Sequence, residues 1–324
     1  MYNILVTGGF GLIGHYVVSK LEKLGHNVAI ADTQTNYGII PKKEIEYLIS
    51  ERKKKINTPF NYKFDISDQN NMRWLFASQK FDIVIHLASF PRQKVVNSNP
   101  MLGSKTMSEG LLNLCELSKE FRVKRFVYIS SSMVYGDFTD DVTEDYNCKP
   151  QGQYGILKLT GENLVKDYTR RGCFNYVIIR PSAVYGPLDV EDRVIAKFML
   201  NAMRGGVLKV NGKNEALDFT FVEDAADGIV SASLSNNTLN KTYNITKSHS
   251  RSLLYAAELA IKIVGKGSIQ LNEKDDDFPT RGKLNIDNAK RDFNFNPKVD
   301  VEEGFQKYYE WLSTSEYWKT QLSL

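Results

Sequence analysis

The chain of 324 residues contains only three cysteines and four histidines. Cys115, Cys148 and Cys173 are widely spaced and odd in number, a pattern that fits neither a disulfide framework nor a metal site. Such cysteine usage favours a reducing compartment. We therefore expect a cytoplasmic protein without a bound metal.

Long apolar runs are also missing. No run approaches the roughly 18 residues that a membrane-spanning helix needs, and the N-terminus lacks the basic start and apolar core of a signal peptide. The net charge of +4 is too small and too dispersed to indicate nucleic-acid binding. The one basic cluster, Arg52–Lys55, is interpreted as a solvated loop or helix face. Neither a membrane nor a nucleic acid is expected as a partner.

Over the first 180 residues, short apolar runs alternate with longer amphipathic stretches. Alternation of this kind predicts a doubly wound parallel sheet covered by helices. The predicted strands are Asn3–Val6, Asn27–Ala31, Asn61–Phe64, Ile83–Leu87, Arg125–Ser130 and Asn175–Ile179. The predicted helices are Ile13–Leu24, Gln69–Ser78, Met101–Lys119 and Gln153–Arg171.

Two regions depart from this alternation. The Lys-rich segment Tyr37–Pro59 is interpreted as a surface excursion with a helical centre at Glu44–Lys54. Beyond residue 180 the pattern breaks into short helices and loops, around Pro187–Arg193, Gly205–Gly212 and Lys266–Pro279. We expect an α/β protein with a larger domain at 1–180, a smaller C-terminal lobe at 181–324, and chain crossings between them.

A glycine-rich segment follows the first predicted strand and opens the first helix. Gly9, Gly11 and Gly14 have GxGxxG spacing, which permits a turn with positive φ and close approach of the backbone to a pyrophosphate. The N–H groups at the start of the helix would then face the phosphates. The spacing alone is weak evidence, but its place between strand and helix makes it specific.

Acidic residues end the next two predicted strands. Asp32 lies where a carboxylate meets the ribose hydroxyls of adenosine, although a strand-end turn former would also fit. No arginine or lysine is adjacent to hold a 2′-phosphate, which favours NAD over NADP. Asp65 and Ile66 could border the adenine, and the alternative role for Asp65 is a helix cap.

Tyr154 and Lys158 are four residues apart and therefore share one face of a helix. An ammonium beside a phenol lowers the pKa of the phenol and makes it a usable base. Tyr154 also follows a serine cluster, Ser130–Ser132, at the end of a central strand, where sites form in such sheets. Two further pairs have the same spacing and are interpreted as incidental: Tyr16 with Lys20, and Tyr243 with Lys247.

With three further motifs, these segments resemble the extended short-chain dehydrogenases/reductases. The motifs are His86-Leu87-Ala88, Ser131 four residues before Tyr135-Gly136, and Arg180-Pro181-Ser182. The resemblance covers nearly the whole chain. It implies a Rossmann-type domain that binds NAD, a C-terminal lobe that binds a nucleotide-linked sugar, and Ser131, Tyr154 and Lys158 as the catalytic residues.

Motif and resemblance together predict the remaining contacts. The expected cofactor contacts are Gly8, Phe10, Gly11, Leu12, Ile13, Gly14, Asp32, Asp65, Ile66, Leu87, Ala88, Tyr154, Lys158 and Pro181. The expected substrate contacts are Arg92, Ser132, Ser182, Arg193 and Arg281. His86 is interpreted as a packed strand residue. The resemblance also implies a homodimer, formed through a four-helix bundle of Met101–Lys119 and Gln153–Arg171.

The sequence departs from the family pattern at informative positions. Ser132 and Met133 stand where the 4,6-dehydratases usually carry an Asp-Glu pair, and related decarboxylases tend to carry Glu at the Met133 position. Methionine cannot transfer a proton, so both reactions are disfavoured. Thr106 replaces an asparagine common among relatives. Leu217 replaces an arginine that clamps the diphosphate, a duty that Arg281 could carry.

The expected activity is oxidation of a nucleotide-sugar hydroxyl, most plausibly at the 4-position, in a sugar-nucleotide 4-epimerase. The alternative is a net 4-dehydrogenase or reductase, for example on a GDP-linked heptose in polysaccharide synthesis. A non-catalytic NAD-binding sensor is a third reading, against which the intact Ser131, Tyr154 and Lys158 set argues.

Overall fold

A computed structural model describes residues 1–90, 92–139, 141–276 and 278–322. The strands are β1 (Asn3–Thr7), β2 (Asn27–Ala31), β3 (Asn61–Tyr62), β4 (Ile83–His86), β5 (Arg125–Ile129), β6 (Asn175–Pro181), β7 (Val184–Tyr185), β8 (Val207–Asn211), β9 (Ala216–Asp218), β10 (Thr220–Phe221), β11 (Lys241–Ile245), β12 (Ser250–Ser252) and β13 (Ser268–Asn272). The α-helices are α1 (Leu12–Lys23), α2 (Lys42–Lys53), α3 (Gln69–Gln79), α4 (Gln93–Ser98), α5 (Pro100–Ser104), α6 (Gly110–Glu120), α7 (Gly152–Arg170), α8 (Val194–Met203), α9 (Val222–Leu234), α10 (Leu253–Val264), α11 (Asp287–Phe293), α12 (Val301–Thr314) and α13 (Glu316–Leu322).

Seven parallel strands form the central sheet, in the order β11-β6-β5-β4-β1-β2-β3. All five residues of β5 are buried, as expected for a parallel strand covered on both faces. The α/β, doubly wound Rossmann-type fold is thereby confirmed. The carboxyl ends of β1, β2, β4 and β5 meet at one edge, where ligands bind in such sheets.

The chain crosses between the two regions that the sequence separates at residue 180. β11 completes the large sheet beside β6 although it lies beyond that boundary, and the buried residues of α9 and α1 share one core cluster. A second core cluster gathers α8, α10 and α12 in the smaller lobe. We therefore propose the division into 1–180 and 181–324 as a division between cofactor binding and substrate binding. In the fold itself, β11 and α9 cross from the second region into the first.

Two loop predictions are wrong. The segments 205–212 and 266–279 contain β8 and β13, which pair in parallel. In β8 the buried Leu208 and Val210 alternate with exposed residues, the period of a half-buried strand, and flanking glycines obscured this signal. The predicted helix Met101–Lys119 is interrupted by a π-helical turn at Lys105–Glu109.

The basic cluster is not uniformly solvated, in contrast to its sequence interpretation. Lys53, Lys54 and Lys55 are exposed, but Arg52 is only 4% exposed. The cause is the packing of α2, whose Leu48 joins Ile40 and Leu188 in a small core that spans both lobes. The Tyr37–Pro59 excursion is thus a bridge between lobes as well as a surface segment.

Candidate active site

The glycine loop is built for a close ligand. Gly8 has φ +72°, and a Cβ there would lie 2.7 Å from the backbone nitrogen of Ala88. A Cβ at Gly14 would lie 2.1 Å from the Gly8 carbonyl oxygen, so the start of α1 can pack against the loop only with glycine. The positive φ therefore falls at Gly8, one residue before the GxGxxG triplet.

Asp32 lies directly after β2 and is fixed by two backbone hydrogen bonds. The N–H groups of Phe10 and Gln34 donate to its carboxylate at 2.8 and 2.7 Å. Burial raises the pKa of Asp32, and these hydrogen bonds oppose that rise. The carboxylate thus stands beside the glycine loop, where a ribose diol would be bound.

The structure also corrects the surroundings of Asp32 inferred from sequence. No basic residue is adjacent in the chain, yet α2 brings Arg52 and Lys53 close enough for their charges to oppose the rise in the pKa of Asp32. Lys53 Nζ donates to Gln34 Oε1 at 3.0 Å. The preference for NAD therefore depends on the carboxylate itself and not on a lack of nearby cations.

All predicted cofactor contacts line one continuous groove. Its adenosine half contains Asp65, Ile66 and Ala88, together with residues of the glycine loop. Its inner half contains Ile13, Gly14 and Pro181, together with the predicted catalytic residues Ser131, Tyr154 and Lys158. His86 is buried beneath the groove, where its Nδ1 pairs with Thr7 Oγ1 at 2.8 Å. Thr7 Oγ1 in turn accepts from the Ala88 N–H at 3.3 Å.

Ser131, Tyr154 and Lys158 meet at the floor of the inner cleft. Ser131 follows β5, and its Oγ accepts from the Met133 N–H at 3.2 Å, which caps a 3-10 turn at Ser132–Tyr135. Burial raises the pKa of the Tyr154 phenol, whereas the charge of Arg193 and a hydrogen bond with Ser131 lower it. The three side chains are therefore placed for proton transfer, and their catalytic roles stay a proposal.

Lys158 is buried beside Tyr154. Its Nζ donates to the Ile129 carbonyl at 2.7 Å and lies 5.8 Å from the centre of the Tyr154 ring. Burial lowers the pKa of Lys158 to about 7, against the opposing charge of Glu162. Near neutral pH the amine can thus exist in either protonation state, which suits a group that helps to move a proton.

The positions after Ser131 carry no acid. Ser132 Oγ donates to Ser182 Oγ at 3.3 Å, and both side chains are buried. The Met133 side chain is also buried at the cleft wall. A carboxyl group is therefore missing from the place where a dehydratase or decarboxylase would use one.

The three arginines predicted to contact substrate all border the cleft. Arg92 forms an ion pair with Asp192 and also donates to the Asp192 carbonyl at 2.9 Å. Arg193 Nε lies 4.0 Å from Asp189 Oδ1. Arg281 is half-buried at the cleft wall. Because carboxylates already hold Arg92 and Arg193, Arg281 is the stronger candidate for a diphosphate contact.

Sequence reasoning missed cations that the smaller lobe supplies to the same cleft. Lys209 projects from β8, and Lys274 follows β13 with its Nζ 3.4 Å from Glu215 Oε1. Both lie in segments interpreted as loops. The alternation in β8 was the one signal that could have placed Lys209. These two lysines could compensate for Leu217, which lines the cleft without a charge.

Among the described residues, no group of three or more His, Cys, Asp or Glu side chains could hold a metal ion. None of the helices that the structure describes is long and apolar enough to cross a membrane.

Comparison with known proteins identifies the family to which the chain belongs. Residues 4–246 match the model of the NAD dependent epimerase/dehydratase family. The chain belongs to this family. NAD is accordingly the cofactor of this enzyme, and the cradle at Gly8 and the Asp32 carboxylate fit its pyrophosphate and ribose.

Members with different reactions are similarly close. A UDP-glucuronic acid 4-epimerase from Bacillus cereus, solved with UDP-glucuronic acid and NAD, is 25% identical with a TM-score of 0.87, covering 95% of this chain and 98% of its own. The dTDP-D-glucose 4,6-dehydratase of Bos taurus is 26% identical, over 95% of this chain and 88% of its own. UDP-glucuronic acid decarboxylase 1 of Xenopus tropicalis is 28% identical, over 94% and 70%. Overall similarity in sequence and structure therefore does not determine which reaction this enzyme catalyses.

Proposed function

We propose that the enzyme is a sugar-nucleotide 4-epimerase. The observation that supports this choice is the Ser132-Met133 pair beside Ser131, because elimination of water needs an additional acid and base there. Epimerisation needs one group that removes a proton and later returns it, and Tyr154 supplies that group. Epimerisation thus requires no proton-transfer residue other than Ser131, Tyr154 and Lys158.

In this mechanism Ser131 holds the oxygen of the sugar hydroxyl while Tyr154 removes its proton. NAD, when bound, would accept the hydride that leaves the same carbon and would later return it to the opposite face of the keto sugar. Lys158, held by the Ile129 carbonyl, stabilises the phenolate when it carries its proton. After the keto sugar has turned in the cleft, Tyr154 returns the proton to the oxygen and the epimer forms.

The nucleotide portion of the substrate is assigned to the smaller lobe. Arg281, Lys209 and Lys274 line its side of the cleft, and cations of this kind match a diphosphate. The sugar would then lie between these cations and Tyr154. Anchoring at the diphosphate leaves the sugar ring free to present either face.

A panel of UDP-, GDP- and dTDP-sugars tests the proposal by product analysis. We expect an epimer of unchanged mass and no net accumulation of NADH. Tyr154→Phe should lower turnover by about 10²-fold or more, whereas Tyr146→Phe, an exposed tyrosine outside the cleft, should not. A released ketone with stoichiometric NADH would instead identify a net dehydrogenase, and loss of water a dehydratase.

We also propose a homodimer in which each copy contributes two helices to a four-helix bundle: α7, and the interrupted helix made of α5, the π-helical turn and α6. Four large apolar side chains on these helices are exposed: Met101, Leu102, Leu112 and Ile156. Met101 is 82% and Ile156 49% exposed. Apolar side chains grouped on neighbouring helices favour association with a second copy of the chain.

A further inference from the structure

Arg52 joins two loops that belong to opposite sides of the groove. Its Nη1 donates to the Phe10 carbonyl at 2.9 Å, and its Nη2 donates to the Leu188 carbonyl at 2.6 Å. A buried arginine in such a position is costly to desolvate unless it is bonded. Here one planar guanidinium satisfies one carbonyl from each loop.

The Phe10 end of this bridge belongs to the cofactor site. Phe10 lies inside the glycine loop, and its own N–H donates to Asp32. The peptide groups on either side of Phe10 are thus held by Asp32 on one side and Arg52 on the other. Any ligand that orders the glycine loop also orders the Arg52 guanidinium.

The Leu188 end belongs to the loop of residues 186–193, which carries Asp189 and Arg193 into the cleft. Leu188 has φ +69°, a left-handed conformation that costs a non-glycine residue about 1–3 kcal/mol unless its surroundings hold it. Its side chain packs against Leu48 of α2, and Arg52 of the same helix holds its carbonyl. The conformation of this loop therefore depends on α2.

A second contact ties the same helix to the same loop. The Glu191 N–H donates to Glu44 Oε1 at 2.8 Å. Burial lowers the pKa of Arg52, and the charges of Asp189, Asp32 and Glu44 oppose that shift by favouring the charged form. The guanidinium is thus the positive centre among carboxylates drawn from α2, the end of β2 and the 186–193 loop.

We propose that Arg52 is a positioning residue that couples NAD binding at the glycine loop to ordering of the 186–193 loop. Binding of the dinucleotide fixes Phe10, Arg52 and Leu188 together, and this places Asp189 and Arg193 at the cleft. Only the meaning of that placement for a sugar nucleotide rests on the proposed function. The coupling itself requires no substrate.

Hydrogen exchange with mass spectrometry, on the full chain stripped of NAD and then reloaded, tests the coupling. In the wild type, NAD should slow exchange in residues 8–14 and also in residues 186–193. In Arg52→Met, saturating NAD should still protect 8–14 but lose most of its effect on 186–193. The affinity for NAD should fall about tenfold, the effect of losing one charge-assisted hydrogen bond.

Two variants separate coupling from mere stability. Lys54→Gln removes an exposed charge directly after α2 that pairs with Glu51 of this helix, and it should behave like the wild type. Arg52→Lys keeps the charge and should restore part of the NAD-dependent protection of 186–193, even if Arg52→Met folds poorly.

Three results would overturn the inference. One is equal NAD-dependent protection of 186–193 in both Arg52 variants and the wild type. Another is protection of 8–14 without 186–193 in the wild type. Failure of NAD to protect 8–14 in the wild type would overturn the cofactor site and the coupling together. An inactive sugar-nucleotide panel, by contrast, would count against the proposed reaction alone.

Discussion

Glu162 and Arg180 form a buried ion pair at α7, the helix that carries Tyr154 and Lys158. Arg180 Nη2 lies 2.7 Å from Glu162 Oε2, and Arg180 Nε lies 2.9 Å from Oε1. Ser130 Oγ also donates to Glu162, at 2.6 Å. Glu162 lies one helical turn after Lys158 on α7, and Arg180 lies on β6, so the pair fixes α7 to the sheet.

Glu162→Gln should therefore destabilise the protein by about 3–5 kcal/mol, because it leaves the buried Arg180 charge uncompensated. The free energy of unfolding in urea measures this change. Asp167→Asn on the same helix removes an exposed carboxylate and should have little effect. Equal stability of the two variants would show that the buried pair is not what holds α7.

Lys158→Met should change how stability depends on pH. Burial lowers the pKa of Lys158 to about 7 in the folded chain, against about 10.4 when unfolded. Between these values the unfolded lysine binds a proton that the folded one lacks. As the pH rises through that window, the free energy of unfolding of the wild type should therefore increase relative to that of the variant by about 1.4 kcal/mol per pH unit. Urea unfolding of both proteins without NAD, at pH 6 to 9.5, measures the difference. If the difference in unfolding free energy between the two proteins does not vary with pH, the lowered pKa of Lys158 is refuted.

Asp32→Ser should shift the cofactor preference toward NADP. The substitution removes the carboxylate that binds the ribose diol and would repel a 2′-phosphate, while Lys53 stays next to Gln34. We expect NAD to bind at least about tenfold more weakly and NADP more tightly. Calorimetric titration of both dinucleotides gives the affinities. Adding Lys53→Met should cancel the gain for NADP, whereas adding Lys54→Met should not; identical NADP affinity in both double variants would exclude a role for Lys53.

Ile156→Glu should convert the proposed dimer to a monomer, since it places a charge in the apolar face of α7. Sedimentation velocity measures the oligomeric state. Leu24→Glu, at a residue that is 60% exposed after α1, is the matched control and should leave the assembly unchanged. A wild-type monomer at micromolar concentration, or a dimer that survives Ile156→Glu, would contradict the bundle.

The sequence predicted those features whose cause is local. The apolar run Phe126–Ile129 predicts a buried parallel strand, and the four-residue spacing of Tyr154 and Lys158 places both on one helix face. Sites at the carboxyl ends of strands then follow from topology. This is why sequence reasoning could place the glycine loop, Asp32, Ser131, Tyr154 and Lys158 along one groove.

Features with distant causes were missed. Arg52 sits among lysines in a stretch with the composition of a solvated face, and its burial comes from Leu188, 136 positions away. Lys53 approaches Asp32 only because α2 folds back across the groove. Lys209 depends on pairing of β8 with β13, which lie about 60 residues apart in the chain. No local pattern encodes the contacts of Arg52 and Lys53, and the alternation in β8 is the one local sign of where Lys209 lies.

The bridge made by α2 also affects the order of assembly. Tyr47 on this helix bonds Ser315 at 2.7 Å across a separation of 268 positions, and it stacks on Tyr317 of α13. Contacts between segments so far apart form late in folding. During synthesis, the ribosome would release the Rossmann sheet well before the C-terminal segment could brace α2 over the groove. We therefore expect secure retention of the dinucleotide only after residues 315–317 have been made.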